Sequence, residues 1–211
     1  MDPILSKLVA LCLSFASAAY DQPPPEVVAW ETLQDAPEVH LGVTCRMYIQ
    51  FHSLEQDWNP YQTRFGPEGY LAVRGWSDEQ RLWIEGEFNQ PAARVFVPRG
   101  GRLERLLGGV KTNERIVLRC VVRTAHLGRP WIEVQGFQRS RRTVPEGTIL
   151  HALKAMDLMG REAWALAIDQ LDRALVAPLP EPVAADLRAI VARCRAEMGA
   201  RQISIAAPLG R

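Results

Sequence analysis

The chain has 211 residues, 47% of them hydrophobic, and a formal net charge of only +1. This size and composition allow a substantial buried core, so an intrinsically disordered chain is excluded. The charge is uneven along the sequence, with −5 over residues 1–42, +6 over residues 43–142 and 0 over residues 143–211. The positive charge therefore falls on the middle of the chain, which is a first indication about a partner.

The N-terminal residues 1–19 have the pattern of an export signal. Lys7 precedes the apolar run Leu8–Phe15, and the small residues at 16–19 suit a signal peptidase. We therefore expect a periplasmic or extracellular protein; the alternative is a cytoplasmic protein whose first residues form a short amphipathic helix. The run is too short for a stable membrane span. Residues 20–38, with three consecutive prolines at 23–25, are expected to be a Pro-rich spacer.

Alternating apolar residues predict the first two strands. The segment Val43–His52 alternates over ten residues, and Tyr70–Trp76 reads as a second strand. Between them lies a loop with several aromatic residues, among them Trp58 and Tyr61. The loop exceeds the usual connection length, so it is either functional or packed by its own rings.

Two helical segments and three further strands follow. Ser77 begins the pattern S-D-E-Q, which predicts a helix to about Phe88. Residues 92–97 read as a third strand, and 101–107 as another helical turn or two. The segment 111–138 is a predicted β-hairpin, since apolar residues alternate on both sides of a turn with Gly128 and Pro130.

This order resembles the OB-fold, a five-stranded Greek-key barrel with a helix between its third and fourth strands. The resemblance covers residues 39–138 and is carried by HLGVTCRMYIQF at the first strand and by RIVLRCVVR and PWIEVQGF at the last two. It implies an α+β fold: an OB-like barrel with inserted helices, followed by a three-helix C-terminal tail. It also implies that the first and fourth strands pair, which makes Cys45 and Cys120 close neighbours.

A ligand surface is predicted where arginines and aromatic rings share the outward faces of the strands. Rings can stack on bases, and guanidinium groups can contact phosphates. The alternative is an ordinary solvated strand face. The candidate ligand-binding residues are Arg46, Tyr48, Trp58, Tyr61, Arg74, Arg119, Arg123 and Trp131.

The cysteines favour buried thiols. Cleavage of the signal would remove Cys12 and leave three, and an odd number argues against a disulfide scaffold. Cys45 and Cys120 lie on inward faces, where they would act as small apolar side chains. A disulfide between them is possible in an oxidising compartment.

The rest of the chain is helical by its periodicity. A basic linker, residues 139–145, precedes a helical hairpin with a capping helix over 146–198 and a flexible tail over 199–211. The second of these helices resembles part of one tetratricopeptide repeat, with Ala167, Leu171 and Ala174 at its small, large and small positions. One such unit cannot form a peptide groove, so we expect the helices to pack on the barrel or on a second copy of the chain.

The sequence carries no strong catalytic signature. The four histidines have no metal-ligand spacing, and Asp57 beside Trp58 is the only acid in a setting that could shift its pKa. We therefore expect a non-catalytic exported module, without cofactor or metal, that binds a protein, a glycan or another envelope component. A single-stranded nucleic-acid-binding protein is the alternative, and a hydrolase a distant third.

Overall fold

The computed structural model describes residues 25–58, 64–126 and 128–206, so the predicted export signal and Tyr61 lie outside the described residues. Each strand and helix has the following bounds: α1 Trp30–Asp35, a 3-10 helix Pro37–His40, β1 Thr44–Glu55, β2 Tyr70–Ser77, α2 Glu85–Phe88, β3 Ala93–Pro98, α3 Arg102–Leu107, β4 Arg115–His126, β5 Arg129–Arg139, α4 Glu146–Gly160, α5 Trp164–Ala174 and α6 Glu181–Ala206.

The five strands form a closed barrel in the order β1-β2-β3-β5-β4. β1 pairs antiparallel with both β2 and β4, and β3 closes the barrel by pairing parallel with β5 at Phe96 and Glu133. The predicted fold class is confirmed: an α+β chain with a five-stranded barrel and a helical tail. The predicted pairing of the first and fourth strands is also confirmed, because Cys45 and Cys120 are register partners.

Alternate side chains of the strands fill the barrel, as the period of two requires. The interior contains Met47, Ile49, Leu118 and Ile132, all fully buried. α1 adds Trp30 and Leu33 to the same apolar cluster. The expectation of an extended spacer over 20–38 is therefore wrong for residues 30–38, because burial of these two side chains holds the segment against the barrel.

The helix predicted from Ser77 to Phe88 is mostly absent, and only the single turn of α2 forms. The side chain of Gln80 makes the expected capping contact with the backbone N–H of Ser77, but its carbonyl oxygen also accepts from the backbone N–H of Ala92. This irregular course allows Leu82 and Trp83 to pack into the apolar cluster of the C-terminal helices. Burial of these side chains outweighs the local capping signal.

The C-terminal helices pack on one side of the barrel. α4 and α5 form a hairpin that buries the predicted small-large-small set Ala167, Leu171 and Ala174 completely, and Trp76 of β2 joins the same cluster. α6 continues to Ala206, so the flexible tail expected from residue 199 is wrong for 199–206. Among the described residues, no helix combines the length and the apolar character needed to cross a membrane.

Gln50 joins the barrel to this helical side. It points away from the barrel interior but is only 3% exposed, because the connection to α4 covers it. Its amide nitrogen donates to the carbonyl of Val144 at 3.0 Å, and its carbonyl oxygen accepts from the Val144 N–H at 3.1 Å. The backbone N–H and carbonyl of the buried residue Val144 are thus both hydrogen-bonded to the side chain of Gln50.

We expect Gln50→Ala to lower the free energy of unfolding by about 2 kcal/mol, since both groups of Val144 would be left buried without a partner. Urea unfolding, followed by circular dichroism, measures this change. The control is Gln138→Ala, an exposed glutamine on β5 whose loss should change stability little. Equal losses in the two variants would contradict a structural role for the Gln50 hydrogen bonds.

Candidate functional site

The outer face of β2, β3 and β5 carries an aromatic cluster. Phe96 and Trp131 are buried there, although both point away from the barrel interior. The β1–β2 loop covers them: the rings of Phe65 and Phe96 stack at 4.9 Å, and Trp58 lies 5.5 Å from Phe96. The Trp58 indole also donates to the carbonyl of Phe65 at 2.9 Å. The described part of this loop is thus packed by its own rings.

A cleft of about 460 Å³ opens beside this cluster. Its walls come from α1, from β2 and β3, and from both ends of the β4–β5 turn. We call it the arginine cleft; it is lined by Trp30, Gln34, Arg74, Ala92, Arg94, His126, Arg129, Pro130 and Trp131.

Like charges face each other in this cleft. Arg74 and Arg94 are direct cross-strand partners in the β2–β3 ladder, an arrangement that destabilises a sheet unless another charge compensates. The carboxylate of Glu55 contacts Arg94 at 3.1 Å and Arg74 at 3.8 Å. Arg129 lies in the same wall, so the cleft has three guanidinium groups and one paired carboxylate, a net charge of +2.

Burial lowers the pKa of Arg94; the Glu55 carboxylate opposes this shift, whereas the charges of Arg74 and Arg129 add to it. The side chain stays protonated at neutral pH, since an arginine starts from a very high pKa. Burial is thus the largest influence on Arg94, and the Glu55 carboxylate offsets it only in part.

Three nitrogen donors in the cleft residues have no hydrogen-bond partner. They are Nε of Arg94 and the indole Nε1 atoms of Trp30 and Trp131, and all three are buried. The two tryptophans are 4% and 7% exposed. A buried donor without a partner costs about 1–3 kcal/mol, and native proteins contain few of them. Their concentration around one cleft is therefore informative.

The structure brings together only some of the predicted ligand residues. Arg74 and Trp131 lie in the arginine cleft, and Trp58 lies next to it, 5.8 Å below the guanidinium of Arg94. The sequence reasoning missed Arg94 and Arg129. Arg94 could have been found, because it alternates with buried residues along β3 and so points outward.

The other candidates lie elsewhere on the barrel. Nε of Arg46 donates to the carbonyl of Pro25 at 2.8 Å, and the guanidinium of Arg115 covers the ring of Tyr48 at 3.8 Å. Arg119 is exposed on β4, and Arg123 pairs with Glu133 at 2.8 Å. The predicted residues therefore do not form one continuous basic and aromatic surface.

A second cleft of about 510 Å³ separates the barrel from the helical side. Its buried cation, Arg115, is already paired bidentately with Asp78. No three His, Cys, Asp or Glu side chains among residues 25–58, 64–126 and 128–206 are grouped to hold a metal ion. Asp57 is exposed. The arginine cleft is thus the better candidate for a ligand site.

The cysteine pair lies inside the barrel. Cys45 and Cys120 are buried free thiols with their sulfur atoms 3.6 Å apart, well beyond the length of about 2.05 Å for a disulfide bond. The hydrogen bond with Cys45, and then burial, raises the pKa of the Cys120 thiol. The thiols act as core side chains in this state, and the possible disulfide stays a prediction.

Comparison with known proteins identifies no relative in sequence. No model of a protein family matches the chain, and no curated protein is detectably similar to it. One solved structure that it resembles is a chain described as an aspartyl-tRNA synthetase from Leishmania major Friedlin. The identity is 8% and the TM-score 0.37, over 74% of this chain and 32% of the other. A likeness this loose carries no argument about fold or function.

The raised pKa of Cys120 predicts a pH-dependent stability. Above the ordinary thiol pKa of about 8.5, the unfolded chain releases a proton that the folded chain keeps, so the free energy of unfolding falls as the pH rises. We expect Cys120→Ala to flatten this fall, measured by urea unfolding at pH 7.5–9.5 in reducing buffer.

The control is Cys194→Ala, which leaves the Cys45 and Cys120 pair in place and so keeps the Cys120 part of the pH dependence. Parallel curves for the wild-type protein and the Cys120 variant would show that Cys120 does not titrate differently in the folded state.

Proposed function

We propose that this protein is a non-catalytic binding module of the OB-fold type and that its ligand occupies the arginine cleft. The observation that carries the proposal is the position of the cleft. It lies on the outer face of β2 and β3 and is bordered by α1 and the β4–β5 turn, and its Arg94 lies over the ring of Trp58 in the β1–β2 loop. OB-folds bind their ligands on this face and between these two loops.

The topology supports the OB-fold part of the proposal. The strand order β1-β2-β3-β5-β4, the parallel contact of β3 with β5 and the placement of α3 between β3 and β4 are those of a five-stranded Greek-key barrel. The additional turn of α2 packs against Trp76, on the helical side of the barrel. It therefore leaves the arginine cleft open.

The chemistry of the cleft suits binding rather than catalysis. Guanidinium groups stay protonated at physiological pH, so Arg74, Arg94 and Arg129 are poor proton donors and acceptors but strong partners for anions. Trp30 and Trp131 add apolar surface and hydrogen-bond donors. Such a cleft holds and orients a ligand.

Single-stranded nucleic acid is the second candidate ligand, and the positive charge of the cleft favours it. Binding of a strand also requires exposed aromatic faces on which bases stack. Phe65, Phe96 and Trp131 instead pack against one another. This packing favours a smaller ligand.

We also propose that the protein is exported to the periplasm or beyond. An envelope component is then its expected partner. The export proposal rests on the pattern of Lys7 and Leu8–Phe15 in the sequence. Sequencing of the mature N-terminus tests it, and an intact Met1 would argue for a cytoplasmic protein.

The helical side is proposed to mediate assembly with a second copy. The exposed leucines Leu150, Leu153 and Leu166 on α4 and α5 support this role, since they are apolar side chains that a second copy would cover. Sedimentation velocity tests it: a dimer that persists after all three leucines are changed to Gln would rule out this surface.

We expect small fragments, both neutral and charged, to bind preferentially in the arginine cleft. In ¹⁵N NMR spectra of the full chain, the amide signals of Arg74, Arg94 and Arg129 should shift most when a fragment library is added. The cleft lined by Tyr48 and Arg115 serves as the internal control. Shifts confined to that cleft, or no shifts in either, would refute the proposed binding face.

A further inference from the structure

We propose that the arginine cleft binds a small ligand through a doubly charged oxyanion, such as a phosphate monoester group. The inference rests on the proposed function, because it gives the ligand class for the same face of the barrel. It is carried by the charge, the donor pattern and the size of the cleft.

The charge of the cleft matches a dianion. Arg74 and Arg94 share the single carboxylate of Glu55, and Arg129 has no acidic side chain among the residues that line the cleft. The remaining charge of +2 is close to the amount that one phosphate monoester neutralises at neutral pH. A single carboxylate would leave half of it uncompensated.

The cations also approach from different elements. Arg74 comes from β2, Arg94 from β3 and Arg129 from the start of β5. Guanidinium groups present parallel N–H donors that match two oxygens of phosphate or sulfate. A tetrahedral group offers enough oxygens for several such contacts at once, whereas a planar carboxylate has two.

The unpartnered donors of the cleft residues have the same preference. The unpartnered nitrogens of Arg94, Trp30 and Trp131 are all donors, and the indole N–H has no acceptor capacity. An oxyanion has only acceptors to offer them. These nitrogens are themselves buried, so the ligand contacts that carry the proposal are those of the guanidinium groups.

The size of the cleft favours a small ligand over a polymer. Its volume of about 460 Å³ lies in the range of pockets for small molecules, about 300–1,000 Å³. The neighbouring ring of Phe96 is fully buried, and Trp131 is nearly so. A nucleic-acid strand would therefore find phosphate contacts here but few ring faces for its bases.

The test uses the full chain with inorganic pyrophosphate, inorganic phosphate and sodium sulfate as probes, and sodium acetate as the monoanion for comparison. The readout is the indole N–H signal of Trp131 in ¹⁵N NMR spectra, assigned with Trp131→Phe, together with isothermal titration calorimetry. We expect the three multivalent oxyanions to shift this signal and acetate to leave it nearly unchanged.

Arg129→Gln should weaken pyrophosphate binding at least about tenfold, the loss expected for one charge-assisted contact. Arg129 is exposed, so the variant is expected to fold. Arg119→Gln is the matched control, because it removes the same charge from an exposed strand position outside the cleft. It should leave pyrophosphate affinity within about twofold.

The possible results separate the two proposals. Equal weakening in the Arg129 and Arg119 variants would overturn the oxyanion site in favour of general charge attraction. If neutral fragments shift the NMR signals of the cleft residues but the oxyanions do not, the oxyanion is the wrong ligand class. The proposed binding face would then still stand. Tighter binding of oligo-dT than of pyrophosphate, weakened equally by both variants, would overturn the small-ligand inference in favour of a strand-binding surface.

Discussion

The whole structure depends on the ability of β1 to pair with two neighbours. A sheet of five strands closes into a barrel only if its strands coil strongly. β1 achieves this with an irregularity between Phe51 and Ser53, and its contact with β2 is close at Gly75. A Cβ atom on Gly75 would lie 2.9 Å from the backbone oxygen of Gln50, so the sheet can approach this closely only at a glycine.

Barrel closure also explains the unusual electrostatics of the arginine cleft. Pairing of β2 with β3 places Arg74 opposite Arg94, and the turn into β5 adds Arg129. Among the described residues, the carboxylate that pairs with the first two is Glu55, the last residue of β1. The same hydrogen-bond register that fills the interior with apolar side chains thus concentrates positive charge on the outside.

Much of the barrel was predictable, because alternation is a local signal that reports directly on the faces of a strand. It gave the five strands and the inward cysteines, and the resemblance to the OB-fold then gave the pairing of the first and fourth strands. The arginine cleft was only partly predictable, since the meeting of Arg74 with Arg94 depends on a register between two strands that no single segment encodes.

The burial of Trp30 was hidden by the prolines before it, which suggested a spacer. The helix predicted at Ser77 failed because Leu82 and Trp83 gain more from burial than the capping pattern offers.

The double role of Trp30 has a consequence for maturation of the chain. This side chain belongs to the apolar cluster of the barrel and also forms one wall of the arginine cleft. Proteolytic processing near the predicted boundary at residue 19 would spare it. Trimming beyond Trp30 would remove apolar packing and a ligand wall together. A protease acting on this segment would therefore open the arginine cleft and weaken the fold in a single cut.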